Sequence, residues 1–344
     1  MPEWMIYGAN GYTGELIARE AARRGDKPII AGRNAAKIQA LAAELELPHR
    51  VFDAVTADLS GVSLLLNCAG PFSATAKPLI AACLETGAHY LDITGEIEVF
   101  EYAHSLDAQA RAKNIVLCPG VGFDVIPTDC IARALAEALP DATHLALAFD
   151  MDLNMSAGTA KTSVEGLSKG GAIRRNGRIE RTPMGFRTRN IDFGQGERTC
   201  MALPWGDIST AYQTTRIPNI EVYAAVPPNM LWGARLGNLV APLLGLAPVQ
   251  EALKRRAAAL PGPSATQRAT ETAYLWGEAR NAAGQVRTAR LSTANGYAVT
   301  VQGSLAVVGA LMGRNESGGS YTPSRLCGWD LVCRLPGSSD IVVS

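Results

Sequence analysis

Seven residues near the N-terminus, Gly8-Ala9-Asn10-Gly11-Tyr12-Thr13-Gly14, constrain the fold more than any other part of the sequence. They follow an apolar run at 4–7 and precede a stretch in which Leu16, Ile17 and Ala21 recur at helical spacing. A glycine-rich turn between a first strand and a first helix lets backbone N–H groups approach a phosphate at the helix N-terminus. The spacing is GxxGxxG, a common variant of the GxGxxG loop in NADP-linked proteins. Its strand–turn–helix setting makes a dinucleotide site the expectation.

Further apolar runs at 28–31, 50–52, 63–67, 90–93 and 115–117 read as strands. Helical patterns cover 11–24, 35–46, 76–86 and 99–113. This alternation predicts an α/β fold whose N-terminal part is a doubly wound parallel sheet of the Rossmann type. The second strand runs into Ala31-Gly32-Arg33-Asn34, with Lys37 one turn further and no carboxylate between Lys27 and Glu44. A site for NAD(H) places an acid there for the ribose hydroxyl. Arg33 instead suits a 2′-phosphate held in bidentate fashion, with help from Asn34 and Lys37, so NADP(H) is the expected cofactor. Asp53 follows the third strand as an adenine-side contact. Cys68, Ala69, Gly70, Pro71 and Phe72 follow the fourth, where they would border the ribose and nicotinamide. Gly120, Gly122, Phe123 and Asp124 form a second glycine-rich turn, expected to approach the nicotinamide. Asp124 reads more readily as the cap of the next helix than as a cleft acid.

Beyond residue 142 the texture changes. Leu145, Leu147, Phe149, Met151 and Leu153 alternate as in a half-buried strand, and Asn176-Gly177 marks a hairpin turn. Strands are expected at 220–226, 271–276, 286–291 and 297–302, and a helix at 250–260 ahead of a loop at 261–263. A second α/β domain with an open, largely antiparallel sheet follows from this pattern. The boundaries drawn from the sequence are 1–125 for cofactor binding, 126–305 for substrate and dimerisation, and 306–344 for a segment returning to the first domain.

Reduction of a polarised double bond needs a proton as well as a hydride, so side chains with a proton to give are sought near the nicotinamide. Around the fifth strand these are Tyr90 and Glu96, with Thr94 on the substrate side; His89 and Asp92 read equally well as loop-orienting groups. In the second half Ser156, Gly158 and Thr159 are candidates to line the substrate, with Lys161 as a proton donor should burial lower its pKa. Asp150 and Asp152 share a strand face and read as solvated.

Lys plus Arg and Asp plus Glu number 32 each, and this balance disfavours nucleic acid as the partner. The neutrality is uneven, however. Lys169, Arg174, Arg175, Arg178, Arg181, Arg187 and Arg189 face Glu180 alone between 169 and 189. That run is either a solvated hairpin or a dock for an anionic partner such as a coenzyme A or carrier-protein thioester. Seven cysteines without a CxxC pair fit a reducing compartment and no metal. The apolar stretch 226–249 contains Arg235 and four prolines, which disqualifies it as a bilayer span. Core or dimer surface is favoured for it over a lid on an acyl chain. Without a basic, then apolar leader at the N-terminus, a cytoplasmic homo-dimer is expected.

GANGYTG at 8–14, AGRN at 31–34, NCAGPF at 67–72, HYLDITGE at 89–96 and CPGVGFDVIPTD at 118–129 together resemble the saccharopine dehydrogenase-like oxidoreductases. The likeness is to the bacterial branch that includes trans-acting enoyl reductases. SAGTAKTSVEG at 156–166 and GGSYTPSRLCGWDLVCRL near the end extend it more weakly; Asn10 stands where the family usually has Thr. The resemblance implies a Rossmann domain, an inserted α/β domain, a returning C-terminal segment and a nicotinamide-linked redox role. Three functions remain open: hydride transfer to an activated C=C bond of an acyl or similar apolar substrate, C=N chemistry of the saccharopine or opine type, and an NADP(H) sensor without turnover.

Overall fold

The computed structural model describes residues 3–151, 156–166, 168–257, 259–313 and 316–344. The first half runs β1 (Glu3–Tyr7), α1 (Tyr12–Arg23), β2 (Ile29–Gly32), α2 (Ala35–Leu45), β3 (His49–Val51) and β4 (Val62–Asn67). It continues through α3 (Phe72–Thr86), β5 (His89–Asp92), α4 (Ile97–Ser105), α5 (Asp107–Ala112), β6 (Val116–Cys118) and α6 (Ile126–Ala138). The second half opens with β7 (Ala142–Asp150), α7 (Ala157–Gly166), β8 (Gly171–Arg175), β9 (Arg178–Thr182), β10 (Thr188–Asp192) and β11 (Glu197–Ala202). Then come α8 (Asp207–Thr215), β12 (Asn219–Ala225), α9 (Pro228–Leu244), α10 (Ala247–Ala257) and α11 (Ala265–Thr270). The chain ends with β13 (Thr272–Asn281), β14 (Val286–Ala294), α12 (Gly296–Met312), β15 (Gly319–Ser320), α13 (Pro323–Cys327) and β16 (Val342–Val343).

The first sheet has the order β15-β6-β5-β4-β1-β2-β3 with every pair parallel. Strand order reverses between β1 and β4, and the crevice at such a reversal is where open α/β sheets bind ligands. The second sheet runs β10-β11-β12-β7-β13-β14-β16, with β8 and β9 attached through β12. Only β7 and β12 are parallel within it, as the alternating pattern had implied. Helices α6 and α12 supply Ile126, Ile131, Leu135, Val299, Leu305 and Val308 to one apolar core that also holds Ile6 and Ile17 from the first half and Leu147 and Leu275 from the second. The last segment ties both sheets: β15 extends the first, and β16 pairs with β14 of the second.

Several expectations need correction. Residues 297–302 form helix, not strand, inside α12, whose first turn is capped by the Asn295 side chain accepting from Tyr297 N–H at 2.9 Å. That helix is buried nearly all round, so its short apolar run carries no period to separate helix from strand. The helix expected over 99–113 is broken at Leu106 into α4 and α5. Helix α3 begins at Phe72, four residues earlier than expected, and accommodates Pro78 internally. Stretch 226–249 is not core: it contains α9, none of whose residues is buried. Strands β10 and β11 went unforeseen. Asp152 and Leu153 lie outside the described residues.

Candidate functional site

The carboxyl ends of β1, β2, β4, β5 and β6 converge on one cleft. At its first corner Gly8 adopts a φ of +82°, its N–H donates to Ala31 O at 2.7 Å, and Gly11 N–H donates back to Gly8 O at 3.0 Å. A Cβ on Gly14 would stand 2.3 Å from Gly8 O, and one on Gly8 would stand 2.7 Å from Ala69 N. Both clashes are with backbone. The turn therefore exists only without side chains at these positions. Gly11 precedes α1 with no side-chain cap, which leaves the N–H groups of Tyr12, Thr13 and Gly14 for an anion.

At the end of β2 the Asn10 amide oxygen lies 2.7 Å from where a Gly32 Cβ would stand. Asn34 caps α2, its side chain accepting from Lys37 N–H at 3.1 Å. Arg33 and Lys37 are exposed beside it and make no ion pair among the described residues. Asp53 is exposed and caps a short 3-10 turn by accepting from Val55 N–H.

Asp92 organises the opposite side. Its carboxylate accepts from Thr94 N–H at 3.0 Å, from Gly120 N–H at 2.9 Å and from the Tyr90 hydroxyl at 2.8 Å. Complete burial pushes this carboxyl up to about 7. Asn67 joins the same network, donating to Tyr90 Oη at 3.2 Å and accepting from Ala69 N–H at 3.0 Å. Tyr90, named from sequence as a proton donor, is fully buried inside this network. Glu96, the second such candidate, accepts from Phe72 and Ser73 N–H at 2.9 and 2.8 Å, so it caps the start of α3. Thr94 is fully buried and accepts from Glu96 N–H through Oγ1. His89 lies at the far end of β5, its Nδ1 accepting from Val116 N–H at 2.9 Å. Asp92, Asn67, Tyr90, Thr94 and Glu96 hold the loops at the carboxyl end of the sheet, and His89 ties β5 to β6 at the other end.

Asp124 behaves differently. It caps nothing; Val125 precedes α6, and no side chain caps that helix. The Asp124 carboxyl packs over Gly95, with Oδ2 2.8 Å from where a Gly95 Cβ would stand, while its carbonyl accepts from Trp205 Nε1 at 2.9 Å. Burial pushes this carboxyl up to about 6. A carboxyl with a raised folded pKa adds stability that is complete below about pH 4 and is lost as pH rises through 6. Asp124→Asn is therefore expected to gain in melting temperature relative to wild type between pH 4 and 7, and then level off. A pH-independent difference in thermal denaturation would refute this. Gly120 and Gly122 are buried against Val125 and Thr300, and Phe123 is core, so these three serve packing beneath the cleft.

Helix α7 covers the cleft from the second half. Near its start Ser156 N–H donates to Tyr297 Oη at 2.7 Å, and Thr159 Oγ1 lies 3.3 Å from the same oxygen. Further along, Thr162 Oγ1 lies 4.0 Å from where a Gly70 Cβ would stand, and Ser73 Oγ donates to Glu165 at 3.2 Å. Gly158 and half-buried Lys161 lie between those contacts, so α7 runs from Tyr297 to Gly70 and Ser73, at the segment that Cys68 and Pro71 belong to. Sequence reasoning missed Tyr297 and Arg268. Tyr297 meets the Tyr12 ring edge-on at 5.1 Å, and Arg268 donates to Tyr12 Oη at 2.7 Å and to Pro263 O at 2.8 Å. No local signal marks either, because their partner is more than 250 residues away.

The basic run is largely neutralised. Arg174 is buried, pairs with Glu101 at 2.8 Å, donates to Ile208 O and Gly177 O, and stacks on Tyr212. Arg175 pairs with Glu180, Lys169 and Arg181 with Glu98, Arg187 with Glu221, and Arg189 with Glu278. The carboxylates are mostly remote in sequence, which is why the run looked unbalanced. Asp150 pairs with Arg198 at 3.3 Å. Among the described residues no helix is long and apolar enough to cross a membrane, and no cluster of His, Cys, Asp or Glu is placed to hold a metal.

Fold and cleft together define a two-sheet protein with a Rossmann-type dinucleotide-binding half. Residues 4–118 match the family model of the saccharopine dehydrogenase NADP binding domain. A saccharopine dehydrogenase-like oxidoreductase of Arabidopsis thaliana is 28% identical over 195 residues, covering 48% of this chain and 43% of that protein. A Mycobacterium tuberculosis protein described as a trans-acting enoyl reductase is 31% identical over 150 residues, covering 39% of this chain and 35% of its own. The matched stretch is thus less than half of either relative. Among solved structures, apo saccharopine dehydrogenase (L-Glu forming) of Saccharomyces cerevisiae superposes with a TM-score of 0.65 over 100% of this chain and 99% of that one. At 10% identity this likeness speaks for the fold alone.

Proposed function

We propose that this chain is an NADPH-dependent oxidoreductase that reduces an activated C=C bond of an acyl or similarly apolar substrate. The observation that carries the cofactor assignment is the glycine cradle beside two unpaired cations, Arg33 and Lys37. The cradle fits a pyrophosphate, with the N–H groups of Tyr12, Thr13 and Gly14 as donors. Arg33 and Lys37 suit a 2′-phosphate. Bound NADPH would supply the hydride. The chain's own part is to exclude water under α7 and to furnish a proton, for which Lys161 and Asp124 are the groups free to serve.

The C=N alternative calls for cations converging on substrate carboxylates in the cleft. Of Arg174, Arg175 and Lys161, the cations to check for that role, Arg174 and Arg175 are engaged by Glu101 and Glu180, which leaves Lys161 alone. This favours the C=C reading. NADPH oxidation against enoyl thioesters, cyclic imines, and keto acids paired with amino acids tests it. Turnover on the thioesters is expected; turnover only on the keto acid and amine pairs would sink it. Silence on every substrate beside micromolar NADPH binding would instead make the chain a sensor.

The cofactor assignment has its own check. Arg33→Asp is expected to move the ratio of NADPH to NADH affinity about 10- to 100-fold toward NADH, since a charge-assisted phosphate contact is exchanged for a repulsion. Unchanged selectivity in a fluorescence titration would remove Arg33 from the site.

A further inference from the structure

Helix α9 presents an apolar face that the rest of the chain leaves bare. Trp232, Leu236, Leu239 and Leu243 follow one another at steps of four, three and four residues, and all are exposed, Leu239 by 79%; exposed Leu246 lies just past the helix end. The opposite face of the helix holds the body: Asn238 exchanges two hydrogen bonds with the Met184 backbone, and Leu231 lies beside Gly185. Such a 4-3-4 spacing is the seam along which a second helix packs. Arg235 is the one charged side chain from 228 to 246, so closing the seam strands no buried carboxylate.

We propose that α9 is a self-association face, on which a second copy of this chain lays its own α9 antiparallel about a two-fold axis between Leu236 and Leu239. The spacing is self-complementary under that operation: Leu236 meets Leu239 of the second copy, and Trp232 meets Leu243. With Met230, Val240 and Leu246, also exposed, the stripe gathers large apolar side chains into one contiguous patch, which marks an interaction site where singly scattered ones would not. An interfacial membrane helix would direct cations outward from its polar face. Here that face is turned inward and spent on the protein.

Sedimentation of the whole chain at micromolar concentration is expected to give twice the chain mass. Leu236→Glu with Leu243→Glu is expected to return the monomer while NADPH binding persists. Leu239→Cys, a mild change at an exposed site, is expected to give a covalent dimer with a short bismaleimide where wild type gives none; its seven cysteines are buried or half-buried. A monomeric wild type would overturn the proposal. So would a dimer that survives both glutamates, or a monomer that binds anionic vesicles through this stripe.

Discussion

Gly14→Ala is expected to weaken NADPH binding by at least about 100-fold, close to 3 kcal/mol. The added methyl would sit 2.3 Å from Gly8 O and 3.0 Å from Ala9 Cα. Neither atom has room to retreat, because Gly8 N–H is tied to Ala31 O and Gly11 N–H to Gly8 O. The first turn of α1 must lift away from β1, and the N–H groups of Tyr12, Thr13 and Gly14 lose their common aim. Isothermal titration with NADPH measures the loss, and far-UV circular dichroism confirms that the variant is folded. Binding within threefold of wild type would show that the phosphates are held elsewhere.

Asp92→Ala is the second large effect, and it falls on stability. Removing the carboxylate leaves two backbone N–H groups and the Tyr90 hydroxyl without their acceptor in a fully buried setting. At about 1–3 kcal/mol per unpaired group, the loss is expected to be about 3–5 kcal/mol. Asp92→Asn should cost about 1 kcal/mol, since its amide oxygen still accepts from Thr94 and Gly120 while its NH2 donates to Tyr90 Oη. Denaturant midpoints of the two variants compare these costs. Equal destabilisation by Ala and Asn would mean that charge, not hydrogen bonding, is what Asp92 supplies.

The contrast between Tyr90 and Asp92 shows where reading from sequence stops. Both were visible as polar residues at a strand end, but hydrogen-bond direction depends on what β6 and the Asn67 loop bring alongside. Glu96 is similar: its role as a cap comes from the start of α3, 24 residues earlier in the chain. The arginines of 169–189 looked like an unopposed patch because Glu98, Glu101, Glu221 and Glu278 belong to other elements. In α12, burial erased the periodicity that would have told helix from strand.

The sequence by itself determined the parallel sheet, the alternation of its first strands with helices, the glycine turn after β1 and the cations after β2. Those features are local: each follows from glycines, capping residues and apolar spacing within a few turns of chain. Only the tertiary structure decided which acids are struts, which cations are neutralised, and that α7, Tyr297 and Arg268 close over the first glycine loop. Such pairings join residues more than 250 positions apart, and no property of either partner alone encodes them.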